Sequence, residues 1–228
     1  GKPGAEYHLE IRFALAGDHA WAPAGHEVCA FQFALPVTTP QTPAIARRTL
    51  PPLAFEKTGG GVRISNKESE IRFDAASGRM VSWKHLETPL LVRGPGFHVW
   101  RAPTDNDKYI SLKWREHGLD RLMHRLESCS VQRTGPATAE ADVSFICASY
   151  NHRPTFSVRH RYTFYGSGDV LIATRVVPLR ELPPLPRIGL EIVLPGEFDL
   201  FEWYGRGPHE NYCDKKESAM VGRWKTSV

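Results

Sequence analysis

The strongest constraint on the fold is an alternation of apolar and polar side chains with a period of two residues. Residues 6–15 place tyrosine, leucine, isoleucine and phenylalanine side chains on one side and mostly charged residues on the other. A strand with one buried face has this period, whereas a helix repeats about every 3.6 residues. Residues 156–164 and 170–176 show the same alternation on either side of a glycine-rich turn. The pattern predicts an all-β fold built of antiparallel strands.

Other segments extend this prediction. Further strands are predicted at residues 28–35, 90–92, 97–100 and 188–194. Residues 71–83 predict a hairpin whose turn uses Gly78, because glycine accepts positive φ without a steric penalty. The short strands at 90–92 and 97–100 are expected to lie on either side of a Gly-Pro-Gly break at residues 94–96.

One segment has helical spacing instead. Its apolar side chains recur at i, i+3, i+4 and i+7, the pattern of an amphipathic helix. They are Leu119, Leu122, Met123 and Leu126. The spacing predicts a helix over residues 111–129, which Gly118 is expected to break or kink near its start.

A proline-rich stretch marks the expected domain boundary. Residues 36–52 contain five prolines, which favour extended backbone and contribute no core. We therefore expect the last strands of one β-sandwich at residues 1–36, a linker at 37–56 and a second sandwich domain at 57–228. Two strands are not stable alone, and the chain does not begin with Met, so we expect a fragment of a longer protein.

Composition argues against several classes of partner. The formal net charge is +4 and the basic residues are scattered, so no nucleic-acid partner is expected. The longest apolar runs have the length of strands, so no membrane partner is expected either. No secretory signal or N-glycosylation sequon is present in the sequence, which favours a cytoplasmic location.

The cysteines and histidines do not have the spacing of a metal site. Cys29, Cys129, Cys147 and Cys213 lie far apart in the sequence and are interpreted as buried free thiols. The ten histidines form no ligand pattern, so we expect no metal and no cofactor in this chain.

The first concentration of polar residues follows Trp100. Asp105, Asn106 and Asp107 end an aromatic strand, where Asx side chains bind nearby backbone and leave oxygens that suit sugar hydroxyls. The simplest interpretation is a loop organised by Asx turns and an ion pair to Arg101. A calcium site and a catalytic pair formed by Asp105 and Asp107 are alternatives.

The second concentration covers residues 203–215, where aromatic rings, glycines and polar groups could present a platform for a sugar ring. The alternative is a structural turn. In that case Gly205 and Gly207 supply unusual φ, and Glu210 or Asp214 pairs with an arginine, either Arg206 or Arg223.

Both stretches resemble a known family. Residues 100–107 read W-R-A-P-T-D-N-D and resemble the R-A-P-x-D-N-D signature of the large family 2 β-galactosidases, in their last domain, the small-chain domain. Residues 186–190 read P-R-I-G-L and residues 203–212 read W-Y-G-R-G-P-H-E-N-Y, and both resemble further stretches of that domain. Residues 24–28 read A-G-H-E-V and resemble the end of the preceding immunoglobulin-like domain.

The resemblance implies a fold and a role. It implies the last strands of an immunoglobulin-like sandwich, followed by part of a large galactose-mutarotase-like sandwich. It places both catalytic glutamates of a retaining hydrolase in an upstream barrel, so no catalytic residue is expected here. The family often uses magnesium and sodium, at sites outside this chain. The implied partners are a β-galactoside and the barrel of the parent chain or a large subunit, and homo-oligomers are also expected.

The resemblance also assigns residues. Those expected at the sugar-facing rim are Asp105, Asn106, Asp107, Lys108, His209 and Glu210. Those expected to support the motifs structurally are Arg101, Pro103, Gly207, Pro208, Tyr212 and Asp214. Family members commonly carry a glycine hinge two residues after D-N-D, whereas this chain has Lys108 and Tyr109 there.

Two other functions stay open at this point. The chain could be a carbohydrate-binding module or a small subunit that completes an active site in trans. It could also be an aldose epimerase, with His98, or with His209 and Glu210, as acid and base.

Overall fold

The computed structural model describes residues 2–40 and 49–228. The strands in chain order are β1 His8–Ala14, β2 Glu27–Ala34, β3 Ala54–Thr58, β4 Gly61–Ser65, β5 Ser69–Asp74, β6 Arg79–His85, β7 Thr88–Pro89, β8 Arg93–His98, β9 Met123–Gly135, β10 Thr138–Ala148, β11 Phe156–Tyr165, β12 Val170–Pro178, β13 Gly189–Val193, β14 Leu200–Gly207 and β15 Met220–Ser227. The helix α1 spans Ile110–Glu116, and 3-10 turns span Asp105–Asp107 and Leu119–Arg121.

The pairing of these strands is antiparallel throughout the described residues. The prediction of an all-β sandwich with one short helix is confirmed.

The described residues group into two compact units, one of residues 49–195 and one of residues 2–40 with 196–228. The expected domain boundaries at 36 and 57 stay a prediction, and residues 41–48 of the expected linker lie outside the described residues. Strand β3 begins at Ala54, inside the stretch assigned to the linker.

The unit of residues 49–195 is a sandwich of sheets. One sheet has five strands in the order β3-β4-β5-β6-β7, a second has four in the order β12-β11-β10-β9, and β13 pairs with β8. Alternation explains the packing: residues of β10 are in turn buried and half-buried along its whole length. Phe73 of the first sheet packs edge-on against Tyr162 of the second, with ring centroids 5.3 Å apart. Both side chains are 1% exposed, so the core lies between these two sheets.

The other unit contains two hairpins, β1 with β2 and β14 with β15. The side-chain amide of Gln32 on β2 donates to the carbonyl of Val221 on β15 and accepts from its N–H, both at 2.8 Å. The hydroxyl of Tyr204 donates to a carboxylate oxygen of Glu6 at 2.7 Å. These contacts join the two hairpins.

The predicted helix over residues 111–129 is wrong in its second half. Helix α1 ends at Glu116, and Gly118 takes a left-handed conformation with φ +68°. From Met123 the chain is strand β9, paired with β10. The apolar spacing misled the prediction because its residues do not share one helical face: Leu119 is buried in a 3-10 turn, Met123 is 55% exposed, and Leu126 lies on β9.

Two predicted breaks also lie inside strands. Residues 94–96 belong to β8, and the register of β8 with β13 shifts between Glu191 and Val193, opposite this segment. Pro95 is accommodated there because it has no N–H to donate to a regular ladder. Residues 203–207 of the second motif belong to β14, so only the residues after Gly207 form a loop.

Candidate functional site

The D-N-D segment is organised by one internal ion pair. The guanidinium of Arg101 donates to both carboxylate oxygens of Asp107, with Nη2 3.0 Å from Oδ1. The N–H of Thr104 donates to Asp107 Oδ2 at 2.7 Å and its hydroxyl donates to the same oxygen at 3.0 Å. The Asp107 carboxylate therefore closes the loop back onto the residues that precede it.

This environment keeps Asp107 ionised. The bonds from Arg101 lower the pKa of Asp107 to about 2, helped by the N–H and hydroxyl of Thr104 and opposed by burial. Asp107 is 8% exposed. Its oxygens are engaged inside the loop, which argues against the alternatives of a calcium site or a catalytic pair that uses Asp107.

The base of the loop is fixed to the segment before β13. Arg101 Nε donates to the carbonyl of Pro186 at 3.0 Å, and the indole N–H of Trp114 on α1 donates to the carbonyl of Pro184 at 2.8 Å. Arg187 donates to His98 Nδ1 at 2.8 Å. The structure thus brings the motifs at 100–107 and 186–190 into direct contact.

The remaining polar residues of the loop point outward. Asp105, Asn106 and Lys108 are exposed, and within the described residues no side-chain hydrogen bond is formed by Asp105 or Asn106. The Lys108 ammonium lies 5.7 Å from the ring centroid of Tyr109, which is also exposed. Pro103, which was expected to support the motif structurally, is exposed as well. The segment therefore presents a carboxylate and an amide to solvent on a rigid base.

Trp114 and Thr104 are contributors that the sequence prediction missed. Trp114 is 3% exposed, and the guanidinium carbon of Arg101 lies 5.2 Å from its ring centroid. A tryptophan on the helix directly after a polar loop is a signal that could have indicated this anchor.

The second motif lies in the other compact unit and forms the β14–β15 connection. Gly207 is buried, and a Cβ there would lie 2.6 Å from the Trp224 ring and 2.9 Å from the Trp203 ring. The peptide between Gly207 and Pro208 is cis. Arg206 Nη1 donates to the carbonyls of Lys216 and Ala219, each at 2.8 Å.

The alternative in which Glu210 or Asp214 pairs with Arg206 or Arg223 was wrong. Arg206 binds backbone carbonyls, and Arg223 pairs with Glu202 on the neighbouring strand. Glu210 instead accepts a bond from the Tyr212 hydroxyl at 3.3 Å and lies 4.0 Å from the Lys215 ammonium.

The other two residues predicted in this loop, His209 and Asp214, are exposed. His209 Nε2 lies 3.0 Å from the Ser218 hydroxyl. Asp214 is exposed and forms no ion pair within the described residues. The loop thus holds His209 and Glu210 at its surface, while tryptophan packing fixes its base.

The cysteines, the possible metal ligands and the helices were also compared with the expectations from the sequence. Cys129 is half-buried and Cys147 buried, but Cys29 and Cys213 are exposed, so the expectation that all four thiols are buried was wrong. Residues 2–40 and 49–228 hold no group of three or more His, Cys, Asp or Glu side chains that could bind a metal ion. No helix in this part of the chain combines the length and apolar character needed to cross a membrane.

Comparison with known proteins identifies the family. The family model described as Beta galactosidase small chain matches residues 65–228, and the one described as Beta-galactosidase, domain 4 matches residues 1–36. A β-galactosidase of Vibrio cholerae is 32% identical over 99% of this chain, which corresponds to 23% of that relative. A β-galactosidase of Priestia megaterium is 31% identical over 98% of this chain and 21% of its own length.

The chain spans 21–23% of the length of these two relatives. The motif resemblance seen in the sequence is confirmed over nearly the whole chain. The chain belongs to the β-galactosidase small-chain family.

Proposed function

We propose that this chain is the non-catalytic C-terminal region of a β-galactosidase and that it shapes the entrance through which terminal β-galactosides reach the active site. The observation that carries the proposal is the clamped loop at residues 101–109, in a chain that aligns along 99% of its length with a β-galactosidase. A rigid base with an outward carboxylate and amide suits sugar hydroxyls, which need both acceptors and donors.

In this proposal the acid and the nucleophile of a retaining, double-displacement hydrolysis belong to a catalytic partner domain outside the chain. The sandwich of residues 49–195 is proposed to be of the galactose-mutarotase kind. Asp107 has a structural task, because its carboxylate is already held by Arg101 and Thr104.

Exposed apolar strand faces support docking against another part of the protein. In the β1–β2 hairpin the exposed fractions are 47% for Leu9, 55% for Phe13, 52% for Phe31 and 51% for Phe33. Contiguous apolar side chains at a surface mark interaction sites in soluble proteins. We propose that the catalytic partner domain covers this face.

The proposal is tested by replacing Asp105 and Asn106 together with alanine in the complete β-galactosidase. We expect KM for a chromogenic β-galactoside to rise about threefold to tenfold with little change in kcat, because outward hydrogen bonds to the sugar are lost. Glu87→Ala, which removes another exposed carboxylate of the same compact unit, is the control and should leave KM unchanged. Equal KM in both variants would contradict a role at the entrance.

A further inference from the structure

A cavity of about 380 Å³ lies in the unit of residues 49–195, apart from the outward residues of the D-N-D loop. Its charged and titratable wall consists of Arg79, Arg93, His98, Asp120, Arg121, His124 and Glu191. They come from β6, β8, β9, β13 and the 3-10 turn after α1. The volume is in the range of small-molecule sites.

Both acidic side chains of the wall already have cationic partners. Asp120 accepts from Arg121 Nη1 at 2.8 Å and lies 3.6 Å from Arg115 Nη1. Glu191 accepts from Arg93 Nη2 at 2.5 Å. Each carboxylate thus bonds an arginine other than Arg79, and Glu191 Oε2 also lies 3.9 Å from His98 Nε2.

Arg79 is the cation that remains. Its Nη2 lies 3.4 Å from His124 Nδ1, and its guanidinium carbon lies 5.8 Å from the Phe145 ring centroid. Within residues 2–40 and 49–228 it forms no ion pair, although its side chain is half-buried. A guanidinium held partly away from water without a carboxylate is costly unless an anion compensates it.

The two histidines contribute donors rather than charge. Arg187 donates to His98 Nδ1, so the neutral ring carries its proton on Nε2. Burial and Arg187 lower the pKa of His98, and burial and Arg79 lower the pKa of His124 to about 4, in both cases opposed by the Glu191 carboxylate. Neutral rings still offer an N–H, and an N–H beside a guanidinium suits an oxygen acceptor.

We propose that this cavity binds a small oxyanion, a carboxylate or a phosphate group, held by Arg79 with the rings of His98 and His124 beside it. The site is independent of the proposed entrance role, because its key residue lies on β6 and not in either motif loop. Arginine suits this task because its planar fork matches both kinds of anion.

The test is calorimetric titration of the purified protein with inorganic phosphate and, separately, with citrate, while chloride keeps the ionic strength constant. We expect saturable binding of at least one anion. Binding of phosphate or of citrate shows whether the cavity accepts a phosphate group or a carboxylate. Arg79→Met should weaken this binding about tenfold or more, since one charge-assisted contact is lost. Arg125→Met, which removes an exposed arginine outside the cavity, should bind like the wild type.

Stability measurements separate binding from folding. Without anion, Arg79→Met should unfold at the same denaturant concentration as the wild type or higher, because it removes an unpaired cation. Arg79→Lys keeps the charge without the fork and should weaken binding less than Arg79→Met does. The proposal is overturned if neither anion binds saturably, or if the anion stabilises the wild type and both Arg79 variants equally.

Discussion

Three consecutive polar residues of the D-N-D segment have two different tasks. Asp107 turns inward and bonds Arg101 and Thr104, whereas Asp105 and Asn106 face solvent. The division follows from chain direction, because the 3-10 turn places its third residue over the residue before the turn. A carboxylate that fixes a loop and polar groups that face outward can thus come from one short stretch.

Replacing Asp107 with asparagine tests the inward task. We expect a loss of about 2–3 kcal/mol in the free energy of unfolding, because the Arg101 guanidinium keeps its half-buried position without a counter-charge. Urea unfolding of the variant and the wild type at pH 7 measures this. Asp105→Asn is the matched control and should stay within about 0.5 kcal/mol. Equal stability of the two variants would show that the ion pair does not hold the fold.

The same pair predicts a pH dependence. The folded-state pKa of Asp107, about 2, lies below the ordinary value of 3.8, so its stabilisation is complete above about pH 5. The stabilisation is lost as the pH falls through 4 toward 2, because the unfolded chain takes up the proton first. The stability difference between the wild type and Asp107→Asn should therefore shrink over this interval. A difference that stays constant from pH 6 to pH 3 would contradict the assignment.

The local part of this network could be predicted from the sequence. The pairing of Arg101 with a loop carboxylate was expected from residues six positions apart, and the ion pair is present. The bond from Arg101 to the Pro186 carbonyl joins residues 85 positions apart. Such a contact depends on how β8 and β13 pair, which local patterns do not specify.

At the scale of secondary structure, Gly118 decides where helix becomes strand. Its left-handed conformation ends α1 and is followed by the 3-10 turn and β9. The sequence prediction placed the glycine correctly as a breaking residue but continued the helix beyond it. The strand is favoured because β9 pairs along its whole length with β10. Strands with undisturbed alternation, such as β1 and β11, were found from the sequence.

Gly118→Ala tests this boundary. A Cβ at this position would lie 2.0 Å from the Ser149 hydroxyl oxygen, and φ +68° is unfavourable for alanine. We expect a loss of about 2–4 kcal/mol in unfolding free energy, measured by denaturant titration. Gly59→Ala is the control, because no atom lies within 4 Å of its added Cβ. A variant as stable as this control would mean that the boundary has another cause.

At the scale of the whole molecule, the alternation of side chains was sufficient to predict the fold class but not the exposed apolar faces. Leu9 and Phe13 alternate as in a half-buried strand, yet they are 47% and 55% exposed. A period of two identifies the face that is apolar and does not identify what covers it. The chain spans 23% of the length of the Vibrio cholerae relative, and the cover proposed for this face is the catalytic partner domain.

The most direct measurement of the central claim compares hydrolysis of a chromogenic β-galactoside by the purified 228-residue chain and by the complete protein that contains it. We expect turnover by the complete protein and none by the chain alone, because the proposed acid and nucleophile belong to the catalytic partner domain. Turnover by the chain that survives stringent purification, or a complete protein that does not hydrolyse β-galactosides, would contradict it.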